Sequence, residues 1–168
     1  KKGVQFIFVT VDNSGLPRLD EYQGFEVHRV AEGQTKHGEF TLWWNLGNAL
    51  YSLRNRFDII HAFGSTYRNS AIGPIGKFLG KKSLTTVSMA HNDLYPIAMG
   101  TRVGKLQRRF LSYVDRYVSL SHQITDEIKT LPLDFTKATE IPQGVDTSRF
   151  YPADANQRAE LRQRLDLP

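Results

Sequence analysis

The sequence predicts an α/β protein, a Rossmann-like doubly wound and mostly parallel sheet, and three features carry that expectation. Several short runs are apolar almost throughout and rich in β-branched residues, as strands covered on both faces must be. Stretches with apolar residues at helical spacing separate most of those runs, the rhythm of right-handed βαβ crossovers. Small polar loops follow directly on several strands, and ligands of open α/β sheets bind at such carboxyl ends.

Residues 4–11 (VQFIFVTV) read as a central strand buried on both faces. Asp12, Asn13, Ser14, Gly15, Leu16 and Pro17 form a turn cluster. Residues 25–30 (FEVHRV) then alternate as a half-exposed strand, with His28 on its polar side and so unsuited to hold a ligand. The polar segment 32–39 leads to a helix carrying Leu42, Leu46, Ala49, Leu50 and Leu53. Trp43 and Trp44 are expected to complete its packing, the alternative being an aromatic platform for a sugar. Arg54 and Arg56 end that helix with the positive charge its dipole favours.

Residues 57–62 (FDIIHA) are the next strand, followed by the small loop Phe63, Gly64, Ser65, Thr66. Residues 70–79 are helix-like although Gly73 and Pro74 weaken them, and 84–89 (LTTVSM) are another buried strand, followed by the polar loop Ala90, His91, Asn92, Asp93. A helix then places Val103, Leu106, Phe110, Leu111 and Val114 on one face and Lys105, Arg108 and Arg109 on the other. Strand 116–120 closes on Ser121, which caps a helix whose Ile124, Ile128 and Leu131 face the sheet. Residues 138–141 are the sixth and last strand, stopped by Pro142, which has no N–H to donate. Gln143 and Gly144 offer the permissive φ of a reversal, Asp146 with Thr147 and Ser148 bonds the turned backbone, and Phe150 and Tyr151 form an apolar anchor before Pro152. A short charged helix over 158–165 follows.

Composition narrows the function classes. At 168 residues the chain is one domain, short for a two-domain enzyme, and so reads as part of something larger. Its 40% apolar content is that of a globular protein. No apolar run approaches a membrane span, and Lys1, Lys2 and Gly3 lead into a strand-like run without a secretory pattern, so a cytoplasmic location is expected. The absence of cysteine removes disulfides, thiolate nucleophiles and zinc-thiolate sites. A net charge of +5 points to acidic partners or simply aids solubility.

General nucleotide signatures are absent: there is no Gly-x-Gly-x-x-Gly, and residues 76–83 (GKFLGKKS) miss the Walker spacing. The five histidines form no His-x-x-x-His or His-Glu-x-x-His pair, and no Gly-x-Ser-x-Gly elbow occurs, so neither a metal nor a resident cofactor is expected. What remains are loops at strand ends: His61 with Gly64 and Ser65, His91 with Asn92 and Asp93, and Ser121, whose helix would offer free backbone amides to a phosphate.

Four of these stretches, 57–62, 85–93, 115–121 and 140–152 (EIPQGVDTSRFYP), resemble in the same order the motifs of the family 4, group 1, retaining glycosyltransferases of two-domain GT-B fold. The family usually has Ile-Pro-Asn-Gly-Val-Asp in the last of them, where this chain has Gln143. The resemblance implies one half of a GT-B fold, with residues 1–141 as an incomplete N-terminal, acceptor-side domain, 142–152 as the interdomain hinge with Gln143, Gly144 and Asp146, and 153–168 as the start of the linker to a donor domain. It implies that His91 is catalytic, near the transferred sugar and donor phosphate, and that His61, Gly64, Ser65, Asn92, Asp93 and Ser121 line the acceptor side and cleft. The nucleotide sugar is then a substrate, and no cofactor is implied. The family's first strand, Gly-Gly loop and helix, and its Glu-x7-Glu donor element, are missing here, so the chain alone is expected to catalyse nothing. Arg102, Lys105, Arg108 and Arg109 resemble the basic surface by which members acting on lipid-linked acceptors rest on anionic membrane, which would place the protein peripherally on the inner face. Nucleic acid is not an expected partner, because basic and aromatic residues do not interleave. The rival readings are a noncatalytic binding module that keeps the cleft and, less economically, a nucleotide-sugar epimerase.

Overall fold

The computed structural model describes residues 3–12, 15–33 and 38–167; the expectations placed on Lys1, Lys2, Asn13, Ser14, residues 34–37 and Pro168 lie outside them. The expected α/β, Rossmann-like class is what forms, but the described strands divide between two sheets. Strands β1 (Ile7–Asp12), β2 (Leu19–Tyr22) and β3 (Phe25–Ala31) make the first, in the order β1-β3-β2. β1 and β3 run parallel from Ile7 opposite Glu26 to Asp12 opposite Ala31, whereas β2 is antiparallel, with Leu19 opposite His28. Strands β4 (Ile59–Phe63), β5 (Lys82–Val87), β6 (Arg116–Ser119) and β7 (Ala138–Glu140) make the second, all parallel and in chain order.

Two expectations are corrected here. β1 is an edge strand, not a central one: its ladder partner is β3 alone among the described strands, and Phe6 and Phe8 lie exposed against Phe25 while Val9 packs on the core. β2 was not foreseen, because a four-residue strand reading Leu-Asp-Glu-Tyr carries no apolar alternation.

Helices supply the crossovers: α1 (Gly38–Leu53), α2 (Ile72–Leu79), α3 (Tyr95–Ala98), α4 (Arg102–Leu111), α5 (His122–Thr130) and, past the last strand, α6 (Ala155–Arg164). Pro74 is tolerated because it falls in the first turn of α2, where its missing N–H has no intrahelical partner to lose. α2 ends at Gly80, whose φ of 66° is the left-handed cap that residues with a Cβ adopt at a cost. α4 begins at Thr101, whose hydroxyl accepts from Gly104 N at 2.9 Å, and α6 opens on a capping box of Asp154 and Gln157 but buries no residue.

The core joins Ile60, Val87 and Tyr117 of the second sheet to Leu50, Ile72, Leu94, Ile97, Leu111, Val114, Ile124 and Ile128. Burial of each such side chain stabilises by about 1.5–3 kcal/mol. Two helices depart from the expected packing. Trp43 is held, its Nε1 donating to Arg68 O at 3.1 Å and its ring edge-on to Phe110, but Trp44 is 72% exposed. On α4 the buried stripe is Gly104, Gln107 and Leu111, leading to Val114, while Val103 and Leu106 face solvent. Gly104 decides this: an added Cβ would stand 1.9 Å from Pro96 O, so only a glycine lets α4 press so closely on α3.

Candidate functional site

All four strands of the second sheet point their carboxyl ends to one edge, and the loops leaving β4, β5 and β6 meet there. Asp93 joins the first two of these loops. Buried at 3% exposure, its Oδ2 accepts from Ser65 N at 3.2 Å, Ser88 N at 2.8 Å, Ser88 Oγ at 3.2 Å and Met89 N at 3.3 Å. Gln107, wholly buried on α4, closes the junction from below: its Nε2 donates to Ser65 O at 2.6 Å and to Asp93 O at 2.7 Å, while its Oε1 has no hydrogen-bond partner. Ser65 is thus inside the wall, its Oγ accepting from Thr85 Oγ1 at 3.4 Å, and neither Ser65 nor Asp93 presents its side chain to the cleft.

Gly64 turns the chain out of β4 with φ 85° while its N–H donates to Thr86 O at 3.0 Å, and Asn69 Nδ2 closes the loop on Phe63 O and Gly64 O. His61, one step back on β4, places Nε2 2.7 Å from Thr86 Oγ1, and packing of its ring lowers its pKa below the ordinary imidazole value by desolvation.

His91 occupies the tip of the β5 loop. Its φ is 57°, an uncommon backbone for a residue with a side chain, and its N–H donates at 2.8 Å to Oε2 of Glu127. The Glu127 side chain is only 9% exposed and comes from α5, so that helix holds the strained turn. The His91 ring is 74% exposed, with Nδ1 3.9 Å from the same carboxylate and Nε2 3.2 Å from Gln123 Nε2. Asn92 is exposed beside it.

Ser121 caps α5, its Oγ accepting from Ile124 N at 3.4 Å, which leaves the amides of His122 and Gln123 in the open first turn. Under that turn Thr125 donates to Glu140 Oε2 at 2.8 Å, and His122 Nδ1 reaches the same oxygen at 2.8 Å. Sequence reasoning missed Gln123, Glu127, Thr125 and Glu140. The signal for the first two was present as spacing, since positions four apart on α5 share a face and both reach His91.

The hinge residues follow directly on β7, whose Glu140 bonds Thr125 and His122. Gln143, Gly144 and Asp146 are exposed, and Gly144 does not take a positive φ, so the reversal does not use the freedom expected of it. Asp146 does bond the turn: its Oδ1 accepts from Ser148 N at 3.0 Å and Ser148 Oγ at 2.6 Å, which lowers its pKa. Phe150 and Tyr151 are each 63% exposed, Phe150 with the Arg149 guanidinium 5.4 Å from its ring centroid. No group of three His, Cys, Asp or Glu among the described residues could hold a metal ion, and no described helix is long and apolar enough to cross a membrane.

A parallel α/β sheet with its loops gathered at one edge is a scaffold shared by many activities, so the fold alone does not name one. The sequence model of Glycosyltransferase Family 4 matches residues 1–149, and the chain belongs to that family. Among solved structures, Anabaena Alr3699/HepE in complex with UDP is similar at TM-score 0.59 and 13% identity, covering 83% of this chain and 36% of that one. The same protein with UDP and glucose gives TM-score 0.57 at 13% identity, and with UDP-glucose 0.59 at 12% identity, each covering 95% of this chain and 50% of that one. The chain therefore spans between about a third and a half of those structures' length. No curated protein matches the sequence.

Proposed function

We propose that this chain is the acceptor-side domain of a retaining glycosyltransferase that moves a sugar from a nucleotide-sugar donor to a glycan, lipid or small-molecule acceptor. In this reading residues 1–141 form the domain, 142–152 the hinge and 153–168 the start of the linker to a donor domain. The observation that carries it is His91, fixed in a left-handed turn by the buried Glu127 carboxylate with its ring in solvent at the carboxyl end of β5. A donor fixed in advance at that point lowers the cost of charge developing on a leaving phosphate or a reacting sugar oxygen. The open first turn of α5 offers its amides to the same charge. His61 and the Gly64 loop would line the acceptor side. Because the similar structures hold UDP and UDP-glucose, uridine nucleotide sugars are the first donors to try, followed by GDP and ADP sugars.

The test is made on the complete natural enzyme. His91→Ala is expected to lower kcat by about 10²–10³ with little change in the acceptor KM, as loss of one charge-stabilising donor does. A loss below threefold sinks the assignment of His91. The 168-residue chain alone is expected to transfer no sugar, and measurable transfer by it overturns that part. A complete protein that binds sugar or nucleotide but never transfers would favour the noncatalytic module.

Arg102, Lys105, Arg108 and Arg109, interleaved with exposed Val103 and Leu106, also suit α4 to rest on an anionic bilayer. Cosedimentation with anionic but not neutral vesicles at low salt is the expected result.

A further inference from the structure

The end of the second sheet opposite His91, where β6 and β7 begin, carries a separate recess of about 510 Å³. Small-ligand sites fall in the range of roughly 300–1,000 Å³. The last turns of α4, the segment after α5 and the approach to β7 enclose it. Lys105, Arg108, Arg109 and Lys137 set four positive charges on its wall against one carboxylate, Asp134.

These cations differ from others on the surface. Arg29 meets Asp20, Arg56 meets Glu26, Arg68 meets Glu32, Lys82 meets Asp115 and Lys129 meets Asp126. Lys105, Arg108 and Arg109 meet no carboxylate within 4.0 Å among the described residues. Lys137 is instead built in: half-buried, its Nζ donates to Ser112 O at 2.8 Å and Val114 O at 2.9 Å, which fixes the ammonium at the rim and leaves its third N–H to spare. Asp134 is already engaged, its Oδ1 accepting from Thr136 N at 3.1 Å and Thr136 Oγ1 at 2.6 Å. Ser112 also lines it, with its hydroxyl donating to Arg109 O at 2.7 Å, and the rest of the wall is apolar: Pro132, Leu133 and the ring of Tyr117, whose hydroxyl is spent on Leu111 O at 2.9 Å.

Four cations set against the single carboxylate of Asp134 repel one another, and the C-terminal dipole of α4 relieves only part of that. A multivalent anion relieves the rest, and the planar forks of Arg108 and Arg109 match phosphate oxygens in pairs. We propose that this recess binds a phosphate-bearing ligand, its phosphate held between Arg108, Arg109 and Lys137 and its less polar part resting on Pro132 and Leu133. None of its residues belongs to the His91 wall, so the site does not rest on the assignment of His91, although Lys105, Arg108 and Arg109 are shared with the bilayer-facing reading of α4.

The test is to titrate the chain, observed by NMR at its arginine Nε–H groups and at the backbone amides of 112–117 and 132–138. One titration uses inorganic pyrophosphate, and another uses phosphatidylglycerol vesicles in a phosphatidylcholine background. Chloride at matched ionic strength is the control. The expected result is a saturable shift confined to the recess, weakened at least tenfold in Arg108→Gln/Arg109→Gln and also weakened in Lys105→Gln, a change on the exposed rim. Saturation by pyrophosphate identifies a soluble phosphate ligand, and a response to the vesicles alone identifies a lipid headgroup; either keeps the site. No saturable response to either probe, or one unchanged in the double variant, overturns it.

Discussion

Replacing Asp93 by Asn is the sharpest probe of how the cleft wall is built. The carboxylate Oδ2 accepts from three backbone N–H groups, Ser65, Ser88 and Met89, and from the Ser88 hydroxyl, all in a site closed to solvent. Hydrogen bonds to a charged group contribute about 1.5–3 kcal/mol and neutral ones about 0.5–1.5 kcal/mol. Asn keeps the volume but surrenders the charge, and whichever of its atoms is the NH₂ finds few acceptors there. The expected cost is therefore about 2–4 kcal/mol, well above a typical surface change. For a chain of this length that lowers Tm by roughly 4–16 °C. Urea unfolding measures the loss, and native-state hydrogen exchange locates it. The amides of Ser65, Ser88 and Met89 should lose protection before those of β6 and β7. A variant within about 0.5 kcal/mol of the parent, or one whose protection falls evenly everywhere, would refute the view that one carboxylate ties the loops of β4 and β5 together.

Three further outcomes follow from single contacts. Gly104→Ala improves helix propensity by about 1 kcal/mol but drives a Cβ to 1.9 Å from Pro96 O, and backbone cannot yield as a side-chain tip can. The overpacking cost of about 1–3 kcal/mol should win, seen as a lower urea midpoint. Tyr117 has its pKa pushed up to about 12 from 10.0 by burial first and by the nearby Asp134 charge second. Its folded-state pKa lies above the unfolded one, so its contribution is complete below pH 10 and is lost as pH rises toward 12; Tyr117→Phe should remove both that drift and the highest-pH step in tyrosinate absorbance. Ser121→Ala removes the cap of α5 at a cost of about 1 kcal/mol, measured by thermal unfolding, and should fray the helix that carries Gln123 and Glu127.

What the sequence made legible was whatever burial alone decides. β5 and β6, the α5 cap at Ser121 and the inward Ile124 and Ile128 follow from apolar spacing and one capping residue, and the structure places them so. The misses have a common physical origin in polar or small residues acting as core. Apolar spacing turned α4 by Val103 and Leu106, but the close approach allowed by Gly104 and the two bonds of the Gln107 amide outweigh that stripe. Ser65 and Asp93 stood out by residue type as cleft groups, yet their chemistry is spent internally. The strain at His91 was illegible for another reason: a left-handed histidine is held by Glu127, thirty-six positions away, which no local pattern encodes.

The division of the strands into two sheets has a consequence for handling the protein. β1 and β4 both reach the common core, through Val9 and Ile60, but each presents one flank that no described strand closes. A raw flank of backbone donors and acceptors recruits any extended chain, and here Phe8, Ile59 and Phe63 lie exposed on those two strands. Colloidal behaviour should therefore depend on concentration well before unfolding begins, with molecules zipping together along these flanks. A lysine or proline set into β1, where neither Pro nor Lys now interrupts Ile7–Asp12, is the change most suited to keep them apart.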